Sequence, residues 1–174
     1  MKIHVDIDKC TGCRICEVVC YYSKSGKFNP RKSRIRVTRV RRVGLDAPIV
    51  CLQCPKPKCV ESCPKKALSK DDDLGIIKVD EERCVGCGIC AEECIIGAIN
   101  TDPDTGIPLI CDLCHGSPEC VAWCPTNALS YKSSDKRTQQ KWAYIFPKME
   151  AYIKKFELPP EVLDKYKIWL SRSK

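Results

Sequence analysis

The chain holds sixteen cysteines, and all of them fall into four local groups. The first, "CTGCRICEVVC", supplies Cys10, Cys13, Cys16 and Cys20. The second, "CLQCPKPKCVESCP", supplies Cys51, Cys54, Cys59 and Cys63. The third, "CVGCGICAEEC", supplies Cys84, Cys87, Cys90 and Cys94. The fourth, "CDLCHGSPECVAWCP", supplies Cys111, Cys114, Cys120 and Cys124. Every group ends in C-x3-C and no cysteine is left over. A cubane of four irons and four sulfides needs four thiolates. C-x2-C-x2-C wraps a short loop around three of the irons, with backbone N–H groups turned toward the sulfides. Gly12, Gly86 and Gly88 let that backbone approach closely. Zinc needs two separated cysteine pairs closing one tetrahedron and gains nothing from a third cysteine three residues on. The chemistry expected is therefore iron–sulfur, four [4Fe–4S] clusters held by all sixteen cysteines. A zinc-binding interaction module is the alternative of another class.

Elements between the groups must position these ligands. From Cys63 the chain reads "CPKKALSKDDDLGIIKVDEERCVGC": a proline break, a short helical turn, an acidic turn, and a strand "IIKV" leading into the next loop. The fourth cysteine of each group is expected to open a helical segment and to face a neighbouring cluster. "KIHVDIDKC" before the first group and "NALSYK" after the last both pattern as strands.

The layout resembles a bacterial two-cluster ferredoxin, and pairing of the groups follows from that resemblance. Groups two and three form one module, in which Cys63 completes the cluster of Cys84, Cys87 and Cys90, and Cys94 that of Cys51, Cys54 and Cys59. Groups one and four remain, so Cys124 completes the cluster of Cys10, Cys13 and Cys16, and Cys20 that of Cys111, Cys114 and Cys120. Sequential pairing of group one with group two is the competing arrangement; the thirty residues between Cys20 and Cys51 make it less natural. The fold implied is α+β, one 2[4Fe–4S] ferredoxin-like module inserted in another. Residues 1–50 and 95–132 form the outer module, with a basic hairpin insertion at 31–50. Residues 51–94 form the inner module, and 133–174 a helical tail.

Over residues 3–131 the four quartets, with a fourth group of "CDLC…C…CPTNAL" type, resemble electron-transfer subunits related to the dimethylsulfoxide reductase iron–sulfur subunit. Small soluble members with such a fourth group accompany tungsten- or molybdenum-pterin enzymes of the aldehyde ferredoxin oxidoreductase family, some of which reduce aromatic CoA esters. The resemblance implies a non-catalytic subunit passing single electrons between such an enzyme and ferredoxin, a flavoprotein or another redox subunit. Carbon monoxide dehydrogenase, formate dehydrogenase and hydrogenase are the alternative partners. Groups one and three lack the proline after the last cysteine, which shapes a turn but supplies no ligand.

The composition agrees with a metal-built protein. With three Phe and three Trp in 174 residues, large apolar side chains are too few to build one large core. Sixteen thiolates and four oxidised cores of roughly +2 each would leave the cofactors at about −8. The formal net charge of +8 then balances buried cluster charge. Nucleic-acid binding is not favoured, because no aromatic platform or recognition helix accompanies the charge. The basic run "RKSRIRVTRVRR", Arg31 to Arg42, alternates around Ile35, Val37 and Val40 as a hairpin strand does. It reads as a docking surface for an acidic partner, as charge raising the potential of a nearby cluster, or as a solvated strand balancing the clusters. His115 reads as an exposed loop residue, His4 as structural, and Trp123 as a shield for a cluster. No Ser/His/Asp set, phosphate-binding glycine loop or radical-type C-x3-C-x2-C triplet is evident. No run of eighteen apolar residues and no apolar leader is visible, so a cytoplasmic location is expected, with no direct membrane insertion.

Beyond Ser133 the cysteines stop and two amphipathic helices are expected. One carries Ile145, Met149, Tyr152, Ile153 and Phe156. The other, after Pro159-Pro160, carries Val162, Leu163, Tyr166, Trp169 and Leu170. They either clasp a partner subunit or fold back on the body.

Overall fold

The computed structural model describes residues 1–40 and 45–133. Its strands form four antiparallel pairs. β1 (Lys2–Val5) pairs with β8 (Leu129–Lys132), β2 (Ile35–Val40) with β3 (Leu45–Val50), β4 (Leu68–Asp71) with β5 (Ile76–Val79), and β6 (Asn100–Thr101) with β7 (Pro108–Leu109). The first and last strands thus lie side by side, in the register Ile3 opposite Tyr131 and Val5 opposite Leu129. Residues 35–40 of the basic run pair with residues 45–50, with Ile35 opposite Val50 and Val37 opposite Pro48. The alternation read in the sequence is visible here: Ile35 and Val37 are buried while Thr38 and Arg39 are exposed.

Four helices complete the architecture: α1 (Ile15–Ser25), α2 (Lys58–Glu61), α3 (Ile89–Glu92) and α4 (Glu119–Ala122). The eleven-residue α1 ends at Gly26, whose left-handed φ of 65° lets its N–H reach the Tyr22 carbonyl. It buries Cys16, Glu17 and Cys20 on one face, the spacing of a single helical turn. The carboxylate of Glu17 would be costly there without a partner, and it accepts the Val37 N–H at 2.6 Å. The other helices are single four-residue turns.

These short helices correct the expectation about the last cysteines. The third cysteine of groups two, three and four lies in the helix, and the fourth follows its C-terminal end. In group one both Cys16 and Cys20 lie inside α1. The reason is helix length: α1 is long enough to hold Cys16 and Cys20 one turn apart on one face, whereas a four-residue helix ends before the fourth cysteine. A second correction concerns the stretch after Cys63. The expected helical turn is only the turn at 64–65, and the residues beyond it form β4, where Ser69 pairs with Lys78.

The buried residues form two cores. One gathers Ile3, Val5, Ile7, Ile35, Val37, Val50 and Leu129 around Cys16, Cys20, Cys111 and Cys120. The other gathers Leu68, Ile77, Ile99 and Ile110 around Cys90, with Cys51, Cys59, Cys63 and Cys94 packed against it. In the same sense α1 packs on α4, and α2 on α3. The helical tail expected at 133–174 lies outside the described residues, save Ser133.

Candidate metal centres

Each cysteine group folds as a loop running into a helix, and the loops hold their shape through backbone that side chains rarely adopt. In group one, Gly12 has a φ of +67°, and a Cβ there would stand 2.3 Å from the Asp46 carboxylate carbon. Asp46 comes from β3, where Arg39 Nε donates to it at 2.7 Å. The basic hairpin therefore closes over the first cysteine loop, and only glycine fits beneath it. In group three, Gly86 would bring a Cβ within 3.4 Å of the Gly106 carbonyl. In group four, Leu113, Cys114 and His115 all have positive φ. That strained run is held by Asp112, whose Oδ1 accepts the Cys114 N–H at 3.0 Å.

The thiols converge across groups. One recess is lined by Cys10, Cys13, Cys16 and Cys124, with Val37 and Pro48 of the basic hairpin forming part of its wall. A second is lined by Cys84, Cys87, Cys90 and Cys63. No carboxylate or imidazole is among the residues lining either recess. Cys94 acts electrostatically on Cys51, Cys54 and Cys59, the three earlier cysteines of group two. Cys20 acts likewise on Cys111 and Cys120.

Burial is the first cause that pushes these thiols up. Cys16 is raised to about 12 and Cys59 to about 11, both by burial first and then by neighbouring anionic groups. Cys111 is raised to about 12 by burial, against an N–H from Leu113 that lowers it. Cys51 and Cys120 are raised for the same first reason. Cys124 differs: burial acts upward, but donors from Leu129, Thr126 and Ala128 outweigh it and the thiol falls. A buried set of four thiols cannot all ionise alone. Four such thiols would be held as thiolates by a cationic iron–sulfur core, and the donor set suits one. Among the described residues, no three His, Cys, Asp or Glu donors close on a point as a single metal ion requires.

Individual sulfurs also receive backbone donors. Arg34 N–H points at Cys20 Sγ (3.4 Å), Ala67 N–H at Cys63 Sγ (3.3 Å) and Ala98 N–H at Cys94 Sγ (3.3 Å). These are fourth-position cysteines, and the donors sit in the chain that leaves each helix or, for Cys20, in the segment entering β2.

Residues 43–134 match a 4Fe-4S dicluster domain, and residues 2–24 a 4Fe-4S binding domain. The chain belongs to the 4Fe-4S dicluster family. The polyferredoxin-like subunit of an aliphatic sulfonate oxidoreductase from Pyrococcus furiosus is 44% identical over 117 residues, 67% of this chain and 67% of its own. The electron transport protein HydN of Escherichia coli is 32% identical over 160 residues, covering 79% of this chain and 90% of its own. The beta subunit of an NADH-dependent phenylglyoxylate dehydrogenase from Aromatoleum evansii is 39% identical over 132 residues, of which the match spans 29%. As a member of the 4Fe-4S dicluster family, the chain is an iron–sulfur electron-transfer protein with ferredoxin-like domains, of the kind found as non-catalytic subunits of oxidoreductases.

Three sequence expectations meet the structure differently. His115 is an exposed loop residue, as read. Trp123 is 62% exposed and its indole N–H donates to Glu119 at 3.2 Å. The single turn of α4 turns that side chain outward while Cys120 turns inward. Much of the basic run is engaged within the chain. Lys32 bridges Asp102 at 3.1 Å and Asp104 at 2.6 Å, and Arg34 and Arg39 pair with Asp112 and Asp46. No helix among the described residues is long and apolar enough to cross a membrane.

Residues that the sequence reading missed are those joining distant segments. Gln53, only 2% exposed, donates to the Cys111 carbonyl at 2.6 Å and accepts the Ile77 N–H at 3.2 Å. Lys24 donates to both oxygens of Asp112 at 2.8 Å. Burial acts to raise the Asp112 carboxyl, but Lys24, Arg34 and the Cys114 N–H outweigh it and hold it below the ordinary range. No spacing rule signals either residue; a polar side chain inside a C-x2-C loop is the only hint.

Proposed function

We propose that this chain is a four-cluster electron-transfer subunit. It relays single electrons between a tungsten- or molybdenum-pterin catalytic subunit of aldehyde oxidoreductase or aromatic acyl-CoA reductase type and ferredoxin, a flavoprotein or another redox subunit. The ligand sets are Cys10, Cys13, Cys16 and Cys124; Cys51, Cys54, Cys59 and Cys94; Cys84, Cys87, Cys90 and Cys63; and Cys111, Cys114, Cys120 and Cys20. The observation that carries this reading is the recess of the first group, where the fourth thiol is Cys124 from the far end of the described chain. Pairing of β1 with β8, and of β4 with β5, supports one ferredoxin-like module inserted in another. Bound to such sets, [4Fe–4S] clusters supply one-electron redox chemistry with no open iron for a substrate.

The chain's own residues suggest the order of the four sites. Cys16 acts on Cys120, Cys111 on Cys51, and Cys90 on Cys59. That sequence of neighbours runs from the first group's site through the fourth and second to the third. Cys13 and Cys87, at the two ends of that order, are the exposed cysteines among the sixteen. Buried apolar residues between the sites exclude water from the interior. The pterin-type partner rests on the resemblance of the "CDLC…CPTNAL" group, and a cytoplasmic setting suits sixteen thiols kept free of disulfides.

Anaerobic purification of the native complex tests this. About sixteen irons and sixteen acid-labile sulfides per chain are expected, with tungsten or molybdenum in the co-purifying catalytic subunit. Cys124→Ser should disturb the same spectroscopic signal as Cys13→Ser. Zinc without sulfide, about eight irons, or distinct signals for those two variants would overturn it.

A further inference from the structure

A charged side chain reaches a candidate ligand sulfur across a long sequence separation in the fourth cysteine group. Lys24, in the last turn of α1, places its Nζ 3.8 Å from Cys114 Sγ. The same ammonium is fixed by two 2.8 Å contacts to the Asp112 carboxylate, so it is not a wandering surface lysine. Asp112 also receives Arg34 Nη1 and the Cys114 N–H. Two cations thus face one carboxylate beside the sulfur. Asp112 alone would place like charge next to a thiolate; with Lys24 and Arg34 the local balance is positive. The loop beneath is the strained run Leu113, Cys114 and His115, which leaves the position of Cys114 dependent on these contacts.

We infer that Lys24 is a positioning residue that donates a charge-assisted hydrogen bond to Cys114 and raises the reduction potential of the cluster held by Cys111, Cys114, Cys120 and Cys20. The inference rests on that ligand set. Adding one electron makes the cluster more negative without forming or breaking a bond. A donor cation at a ligand sulfur stabilises the reduced form more than the oxidised one. The site lies inside the proposed order of centres, so a potential set by Lys24 bears on every electron that crosses the chain.

Potentiometric titration with dithionite, followed by electron paramagnetic resonance on the purified complex, tests the inference. Lys24→Gln should keep the full iron content and move one signal to lower potential. A tenfold loss in the reduction equilibrium, 59 mV for one electron, is expected. Lys24→Arg should restore most of it, and Cys114→Ser should perturb the same signal. An unshifted titration in fully loaded Lys24→Gln overturns the inference, as does a shift in a signal that Cys114→Ser leaves alone. Loss of one cluster's iron in both Lys24 variants overturns it too, leaving a purely structural clamp. If Cys114→Ser changes neither iron content nor any signal, the ligand set fails first and the inference falls with it.

Discussion

Replacing Gln53 by Met removes both polar ends of a side chain that ties the second cysteine loop to the fourth group and to β5. In the native protein the amide donates to the Cys111 carbonyl at 2.6 Å and accepts from Ile77 N–H at 3.2 Å. Cys111 and Ile77 are both buried, so neither backbone group regains water in the variant. A buried polar group left without a partner costs about 1–3 kcal/mol. Two of them put the loss at about 2–6 kcal/mol, since Met keeps the volume and opens no cavity. A loss of about 3 kcal/mol multiplies the open population roughly 150-fold. Anaerobic iron release to a chelator in mild guanidinium reads that population, because opening and reclosing are fast relative to capture. Release should accelerate by about two orders of magnitude in Gln53→Met. Gln53→Glu, which cannot donate to the carbonyl, should be at least as fast. A Gln53→Met protein releasing iron within about threefold of the native rate would refute the reasoning, because the two bonds would then contribute nothing beyond what water supplies.

Gly12→Ala and Gly88→Ala separate crowding from backbone strain. A Cβ at Gly12 meets Asp46 at 2.3 Å and Arg39 at 2.6 Å, whereas nothing lies within 4 Å of one at Gly88. Both have positive φ, which costs about 1–2 kcal/mol for a non-glycine residue; iron analysis should show a cluster lost from Gly12→Ala and full loading in Gly88→Ala. Glu17→Gln retains an acceptor for the Val37 N–H, whereas Glu17→Leu does not. Thermal cluster loss followed by visible absorbance should place Glu17→Gln near the native protein and Glu17→Leu destabilised by about 1–3 kcal/mol.

The cysteine spacing was legible because cluster chemistry is local. Three thiolates on one loop must lie two or a few residues apart, and a helical turn puts the next three residues on, so the ligand types can be read without a fold. β1, β5 and β8 were legible for the same reason, since alternation is a short-range pattern. β4 was not, because "ALSKD" has too few apolar residues to show a period and depends on its partner β5 for hydrogen bonds. The exposure of Trp123 was not legible either, because a single-turn helix has no sequence-visible apolar face and only packing decided which side turned outward.

What the sequence by itself determined is the chemistry: sixteen soft ligands in four groups, too few apolar side chains for a large core, and positive charge to balance bound anionic centres. What only the tertiary structure decided is which groups face each other and what holds them there. The contacts of Lys24 with Asp112, Gln53 with Cys111, and β1 with β8 span 88, 58 and more than a hundred residues. Residues so far apart carry no mutual signature in a single chain. Chain entropy opposes bringing them together, and the burial of the two cores offsets it. The ligand types are therefore a property of the sequence, and their company is a property of the fold.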